Sequence, residues 1–238
     1  RQDIMTTQYE SVPLNPDNPD PRVACTLLVD VSGSMQGAPI DELNRGYSDF
    51  RDYLRDDELA ATRAEVAVIT FDSSARVAVP LQEGRTLPAH SFVAGGMTSM
   101  GAAINLALDV IDARKREYKA GGVEYYRPWI IVFSDGSPTD SAVFAQAVAR
   151  LSEAQAKRSV TVFPIGIGPS ADMTKLSMLS TQRPALKLAG VNFSAFFEWL
   201  SASMSAVSSS QTSGSSDDDL AAMTEQVQLP DLSSWATT

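Results

Sequence analysis

The chain has 238 residues, enough for one sizeable α/β domain and a short extra piece, and its apolar content of 44% is ordinary for a globular protein. A formal net charge of −10 makes the surface repel phosphate backbones and anionic lipid, which argues against nucleic-acid and membrane partners. The single cysteine, Cys25, excludes an internal disulfide and a cysteine-based zinc site.

Cys25 lies in an apolar run and reads as a small buried hydrophobe; a disulfide-free chain fits the cytoplasm. The strongest apolar stretch, Trp129–Phe133, is strand-sized, well short of a membrane span. No basic stretch followed by an apolar core marks a signal peptide near the first residues, and Met5 is a candidate start.

Residues 1–21 are polar, carry Pro13, Pro16, Pro19 and Pro21, and read as an extended arm. Val23–Asp30 is almost continuously apolar, as in a strand buried on both faces of a parallel sheet. Pro39 opens a helix on which Ile40, Leu43, Tyr47, Phe50 and Leu54 share one face. Glu65–Phe71 is a second buried strand; Asp72–Ser74 reads as a turn and Ala75–Leu81 as an antiparallel edge strand.

A loop then leads to Gly95–Gly96, and a helix from about Gly101 turns Ile104, Ala107, Leu108 and Ile111 inward until Gly121–Gly122 breaks it. Pro128–Ser134 is a third buried strand. Thr139–Lys157 is a helix burying Phe144, Ala147, Val148 and Leu151, and Ser159–Gly166 is a further strand. A short helix near Asp172–Leu179 and a weak strand at Ala185–Leu188 precede an amphipathic helix carrying Phe193, Phe196, Phe197, Leu200, Met204 and Val207.

This alternation predicts a doubly wound, mostly parallel sheet with one antiparallel edge strand and helices on both faces, over residues 22–208. Residues 209–219 are Ser/Gly/Asp-rich and read as a flexible linker. Residues 220–238 regain apolar character, including Trp235, and read as a tail that docks in cis or in trans.

Open α/β sheets bind ligands beyond the carboxyl ends of their strands. Asp30-Val-Ser32-Gly-Ser34 directly follows the first strand, Thr98 follows the Gly95–Gly96 turn, and Asp135–Gly136 follows the third buried strand. All are oxygen donors of the kind that suits a hard cation: magnesium foremost, with manganese or calcium as alternatives. Two carboxylates balance the charge of a dication, while neutral hydroxyls leave it electrophilic enough to accept a carboxylate from another protein. Each segment alone also fits a helix cap or a turn; it is the three together, in this order, that point to one site.

Asp30-Val-Ser-Gly-Ser34-Met, Gly95-Gly-Met-Thr98-Ser and Phe133-Ser-Asp135-Gly-Ser-Pro-Thr-Asp140 resemble the metal-ion-dependent adhesion site (MIDAS) of von Willebrand factor A domains, and the resemblance runs from about Val23 to Val207. It implies that Ser32, Ser34 and Thr98 touch the metal directly or through water, and that Asp30 and Asp135 bind it or anchor its waters. Val68–Asp72, the Ser134–Asp140 run and Phe196–Ser203 are similar to bacterial TerY-type proteins of tellurite-resistance and stress operons. That subgroup implies a stress-response or phosphosignalling setting, with a kinase-like protein and a PP2C-type phosphatase as partners. Some relatives add a cysteine-rich zinc module, which a chain with only Cys25 lacks.

Other motifs fall short. Gly96–Gly101 has the glycine spacing of a phosphate-binding loop, but Ala102 and Ala103 stand where Lys and Ser/Thr are needed. Gly166-Ile-Gly168 follows a strand but has no acidic residue at the dinucleotide-binding distance. His90, the only histidine, would have to serve any Ser–His mechanism from a loop. A metal-dependent hydrolase would need a base, for which the sequence offers only Asp72 or Asp140. The expectation is therefore a binding module and not an enzyme; service as adaptor of an AAA-type ATPase is the alternative.

Overall fold

The near-continuous apolar runs become the inner strands of one sheet, and the segments of helical period cover its two faces. The computed structural model of the protein describes residues 12–190, 192–210, 213–217 and 236–237. Among them the strands are β1 (Val23–Asp30), β2 (Ala64–Phe71), β3 (Ala75–Glu83), β4 (Trp129–Ser134), β5 (Thr161–Gly166), β6 (Leu186–Leu188) and β7 (Ala236–Thr237), in the order β3-β2-β1-β4-β5-β6-β7. Pairing is parallel from β2 through β6, and β3 is the expected antiparallel edge. The two-residue β7 adds a second antiparallel edge against β6, too short to leave a pattern in the sequence.

The helices are α1 (Ala38–Asp56), α2 (Glu58–Arg63), α3 (Met100–Gly121), α4 (Ser141–Ala156), α5 (Met173–Ser177) and α6 (Phe193–Ser208). Because successive strand residues face opposite ways, Val23, Cys25, Leu27 and Val29 pack toward α1 and α6. Ala24 and Leu28 pack toward α3 and α4. Every residue expected on the buried face of α1 and of α6 is buried. On α4, Val148 is half-buried, against the expectation of full burial, because it sits at the margin of that helix's contact face. Helix α2 has no apolar period for a sequence to display and is held by Asp57, whose carboxylate accepts from the N–H groups of Leu59 and Ala60.

The part of the expected arm that is described, residues 12–21, is non-helical and fastened to the domain. Asn18 donates to Thr62 O at 2.8 Å and to Glu83 Oε1 at 2.7 Å. Within the expected linker, Tyr125 and Gly214 exchange backbone hydrogen bonds, and Lys115 pairs with Asp217 at 2.9 Å. Trp235 and most of the expected tail lie outside the described residues. Among the described residues, no helix is long and apolar enough to cross a membrane.

The sheet order places a switch point between β1 and β4. From β1 the chain runs through α1 to β2 and β3, then crosses over α3 to β4 on the other side of β1. The carboxyl ends of β1 and β4 thus flank a crevice, the place where such sheets take ligands.

Candidate functional site

Asp30 ends β1 and Ser134 ends β4, on neighbouring parallel strands. Asp30 is 0% exposed. Its Oδ1 accepts the N–H of Ser32 at 2.9 Å and its Oδ2 accepts the hydroxyl of Ser134 at 2.6 Å. Burial holds the Asp30 carboxyl above its ordinary value; hydrogen bonds from Ser134 and Ser32 work against that rise, and the neighbouring charge of Asp135 adds to it.

After β1 the chain turns through a single 3-10 turn, Gly33–Met35, before α1. This turn sets the hydroxyls of Ser32 and Ser34 3.1 Å apart, and Ser34 donates to Asp135 Oδ1 at 2.8 Å. Asp135 is 9% exposed and Ser34 is exposed, so the cluster opens to solvent on the Ser34 side.

The loop that carries Thr98 is tied to the segment after β1 along its backbone, since Gly95 donates to Val31 O at 2.7 Å and Gly33 donates to Gly96 O at 3.2 Å. Ser99 ties it separately to the turn after β2, donating to Asp72 O at 2.8 Å. Gly96 has φ +79° and lies against Ser73, a conformation and a space that suit only glycine. Thr98 is buried, and among the described residues its hydroxyl makes no hydrogen bond.

The structure thus brings the three segments to one crevice. Ser32, Ser34, Asp135 and Asp30 are linked by direct bonds or close charge, and Thr98 is linked through its backbone. Among the described residues, neither Asp30 nor Asp135 has an ion-pair partner, and no group of three or more His, Cys, Asp and Glu side chains could hold a metal. The groups brought together are two unbalanced carboxylates with the hydroxyls of Ser32 and Ser34, a set of hard oxygen donors that fits a hard dication and not a thiolate or imidazole metal, and Thr98 would add a third hydroxyl.

Ser134 has no assigned role in the sequence reading, yet its hydroxyl joins the two carboxylate segments. It donates to Asp30 and accepts from Gly136 N–H at 3.3 Å. A polar residue ending an otherwise apolar buried strand was the available signal. Asp72 and Asp140, the two candidate bases, are both engaged. Asp72 accepts from Ser74 N–H and pairs with Arg76; Asp140 accepts two backbone N–H groups of α3. His90 is half-buried with its ring edge-on to Phe92, and burial and then Arg76 lower its pKa.

The model of the von Willebrand factor type A domain matches residues 25–196. The chain belongs to that family. Its members are commonly metal-dependent protein-interaction modules. No curated protein matches the chain. Among solved structures, the pilus adhesin SpaC from Lactobacillus rhamnosus GG aligns with TM-score 0.62 at 13% identity, over 82% of this chain and 32% of that one. The manganese-loaded TRAP protein of Plasmodium vivax aligns with TM-score 0.51 at 21% identity, over 68% and 64%. Proximal thread matrix protein 1 from the mussel byssus, with a zinc-occupied MIDAS motif, aligns with TM-score 0.50 at 19% identity, over 78% and 48%. At these identities the likeness is one of fold. The chain spans less than two thirds of the length of each.

Proposed function

We propose that this von Willebrand factor A domain holds one divalent cation on Asp30, Ser32, Ser34, Thr98 and Asp135 and uses it to grip a partner protein. The observation that carries the reading is the meeting of two buried, unpaired carboxylates with neutral hydroxyls at the β1/β4 switch point. A bound dication would balance the two carboxylates and offer a position to a carboxylate of the partner. Manganese in the Plasmodium protein and zinc in the mussel protein support a divalent ion. The hard oxygen donors favour magnesium in the cell.

The site is one for binding and not for catalysis in this reading. Both candidate bases are committed to structural bonds, and the single histidine, His90, packs its ring against Phe92. The finer setting is a cytoplasmic, TerY-like stress-response or phosphosignalling system, with a kinase-like protein and a PP2C-type phosphatase as partners. It rests on the motif similarity of Val68–Asp72, Ser134–Asp140 and Phe196–Ser203.

A pull-down from the native host with magnesium and with EDTA tests the proposal. Partner capture should need the ion and be lost in Asp30→Ala and Ser32→Ala while the fold persists. Capture that survives both changes overturns it. Recovery of an AAA-type ATPase would move the partner assignment to the adaptor reading. Magnesium-dependent phosphoester turnover abolished by Asp135→Ala would make the protein a hydrolase.

A further inference from the structure

Helix α3 starts two residues after Thr98, yet its N-cap Ser99 makes no side-chain capping bond. The cap comes instead from the loop before α4. Asp140 Oδ1 accepts the N–H of Gly101 at 3.1 Å and Oδ2 accepts the N–H of Ala102 at 2.9 Å. Asp140 occupies the N-cap position of α4 but makes no capping bond there, so its carboxylate is diverted from its own helix to a neighbouring one.

The adjacent Thr139 grips Thr98 itself. Thr98 N–H donates to Thr139 Oγ1 at 3.2 Å, and Thr139 N–H donates to Thr98 O at 2.9 Å. Both backbone polar groups of Thr98 are thereby fixed. Gly101 makes the approach possible, because a Cβ there would sit 2.3 Å from Phe144 N. The second glycine of the apparent phosphate-loop spacing therefore has a packing reason: it lets the first turn of α3 lie directly on the first turn of α4.

We infer that Thr139, Asp140 and Gly101 form a clamp that positions Thr98, so that the cation affinity of the site is set partly by residues that do not touch the cation. The inference rests on the metal-site reading above. Thr139 and Asp140 are positioning residues in it. They fix the backbone from which the Thr98 hydroxyl projects, much as outer-sphere partners hold metal ligands elsewhere.

The test is isothermal titration of the full chain with Mn²⁺, for wild type, Thr139→Val, Thr139→Ser and Asp140→Asn, with the thermal midpoint of each metal-free protein measured alongside. Thr139→Val and Asp140→Asn should bind Mn²⁺ about tenfold more weakly, the lower end of what loss of such partners costs. Thr139→Ser, which keeps the hydroxyl, should stay close to wild type. Should Asp140→Asn fail to fold, the Thr139 pair decides, since it leaves the α3 cap in place. Wild-type affinity in Thr139→Val, or equal weakening in Thr139→Ser and Thr139→Val, overturns the clamp alone. A wild-type protein that binds no Mn²⁺ overturns the metal site and the clamp with it.

Discussion

The two ends of the parallel sheet both bury charge, and they do so in opposite ways. At the amino ends of β1 and β2, Arg22 and Arg114 face Glu65 and Glu83. Arg114 makes two bonds to Glu65 at 2.8 Å, Tyr118 donates a third, and Arg22 lies 3.7 Å from Glu65 and 3.9 Å from Glu83. Cations and carboxylates match there. At the carboxyl ends of β1 and β4, Asp30 and Asp135 lie close together with hydroxyls around them, and among the described residues neither forms an ion pair. The first arrangement is balanced in charge within the chain, although Arg22 Nε makes no hydrogen bond; the second would be balanced by an added positive charge. Burial of polar groups alone therefore does not mark a site. Charge balance separates scaffold from function here.

If the amino-end network is scaffold, removing one member should be expensive whatever the metal content. Glu65 is 1% exposed and serves Arg114, Tyr118 and Arg22 together. Glu65→Ala should cost about 3–5 kcal/mol of unfolding free energy, as expected when a buried ion pair loses one partner. Urea unfolding with and without Mn²⁺ measures it. A loss below about 1 kcal/mol, the scale of exposed pairs, would mean that the network contributes no more than a surface one.

The carboxyl end should behave in the reverse sense. Asp135→Asn keeps an acceptor for Ser34 and removes one of two like charges, so the metal-free protein should be as stable as wild type or more so. The difference should emerge on adding metal. At a hundredfold excess over the dissociation constant, a site-specific ion stabilises the fold by about 2.7 kcal/mol. Wild type should gain that much and Asp135→Asn almost none. An Asp135→Asn variant as unstable as Glu65→Ala without metal would erase the distinction between the two ends.

This contrast also explains what the sequence could reveal. Asp30-x-Ser32-x-Ser34 is local, so its chemistry is written in adjacent letters, and the apolar runs that end at Asp30 and Ser134 announce where it stands. Thr98 and Asp135 are distant in sequence, but each follows a recognisable strand or glycine turn. The amino-end network has no such grammar. Arg22, just before β1, and Glu65, Glu83 and Arg114, from β2, β3 and α3, are far apart in sequence and meet only through the sheet order and the course of α3. The diverted Asp140 cap was hidden for the same reason, since a carboxylate at a helix start is read as capping that helix. Helix α2 escaped because six residues are too few to display a period, and β7 because two residues have no pattern at all.

The smallest expected effect grades the amino end by exposure. Lys115 is nearly buried, bonds to Ser159 O at 2.7 Å, and pairs with Asp217, whose side chain is 30% exposed. Burial lowers the Lys115 pKa, and Asp217 works against that lowering. Asp217→Ala leaves the ammonium with one hydrogen-bond partner, Ser159 O, and the more distant charge of Asp112, so the cost should be about 1 kcal/mol near neutral pH. The sign of its pH dependence follows from linkage. A lysine whose folded pKa lies below its unfolded one holds fewer protons folded than unfolded between the two values, so stability rises with pH across that window. Without Asp217 the folded pKa falls further and the window widens. The deficit of Asp217→Ala relative to wild type should therefore shrink as pH rises toward 10.5, the ordinary lysine value. Lys157→Ala, which breaks a fully exposed pair with Glu153, should change stability at neither pH. Equal, pH-independent losses for Asp217→Ala and Lys157→Ala would place the Lys115 pair with the surface pairs, and confine the closed network to the four residues around Glu65.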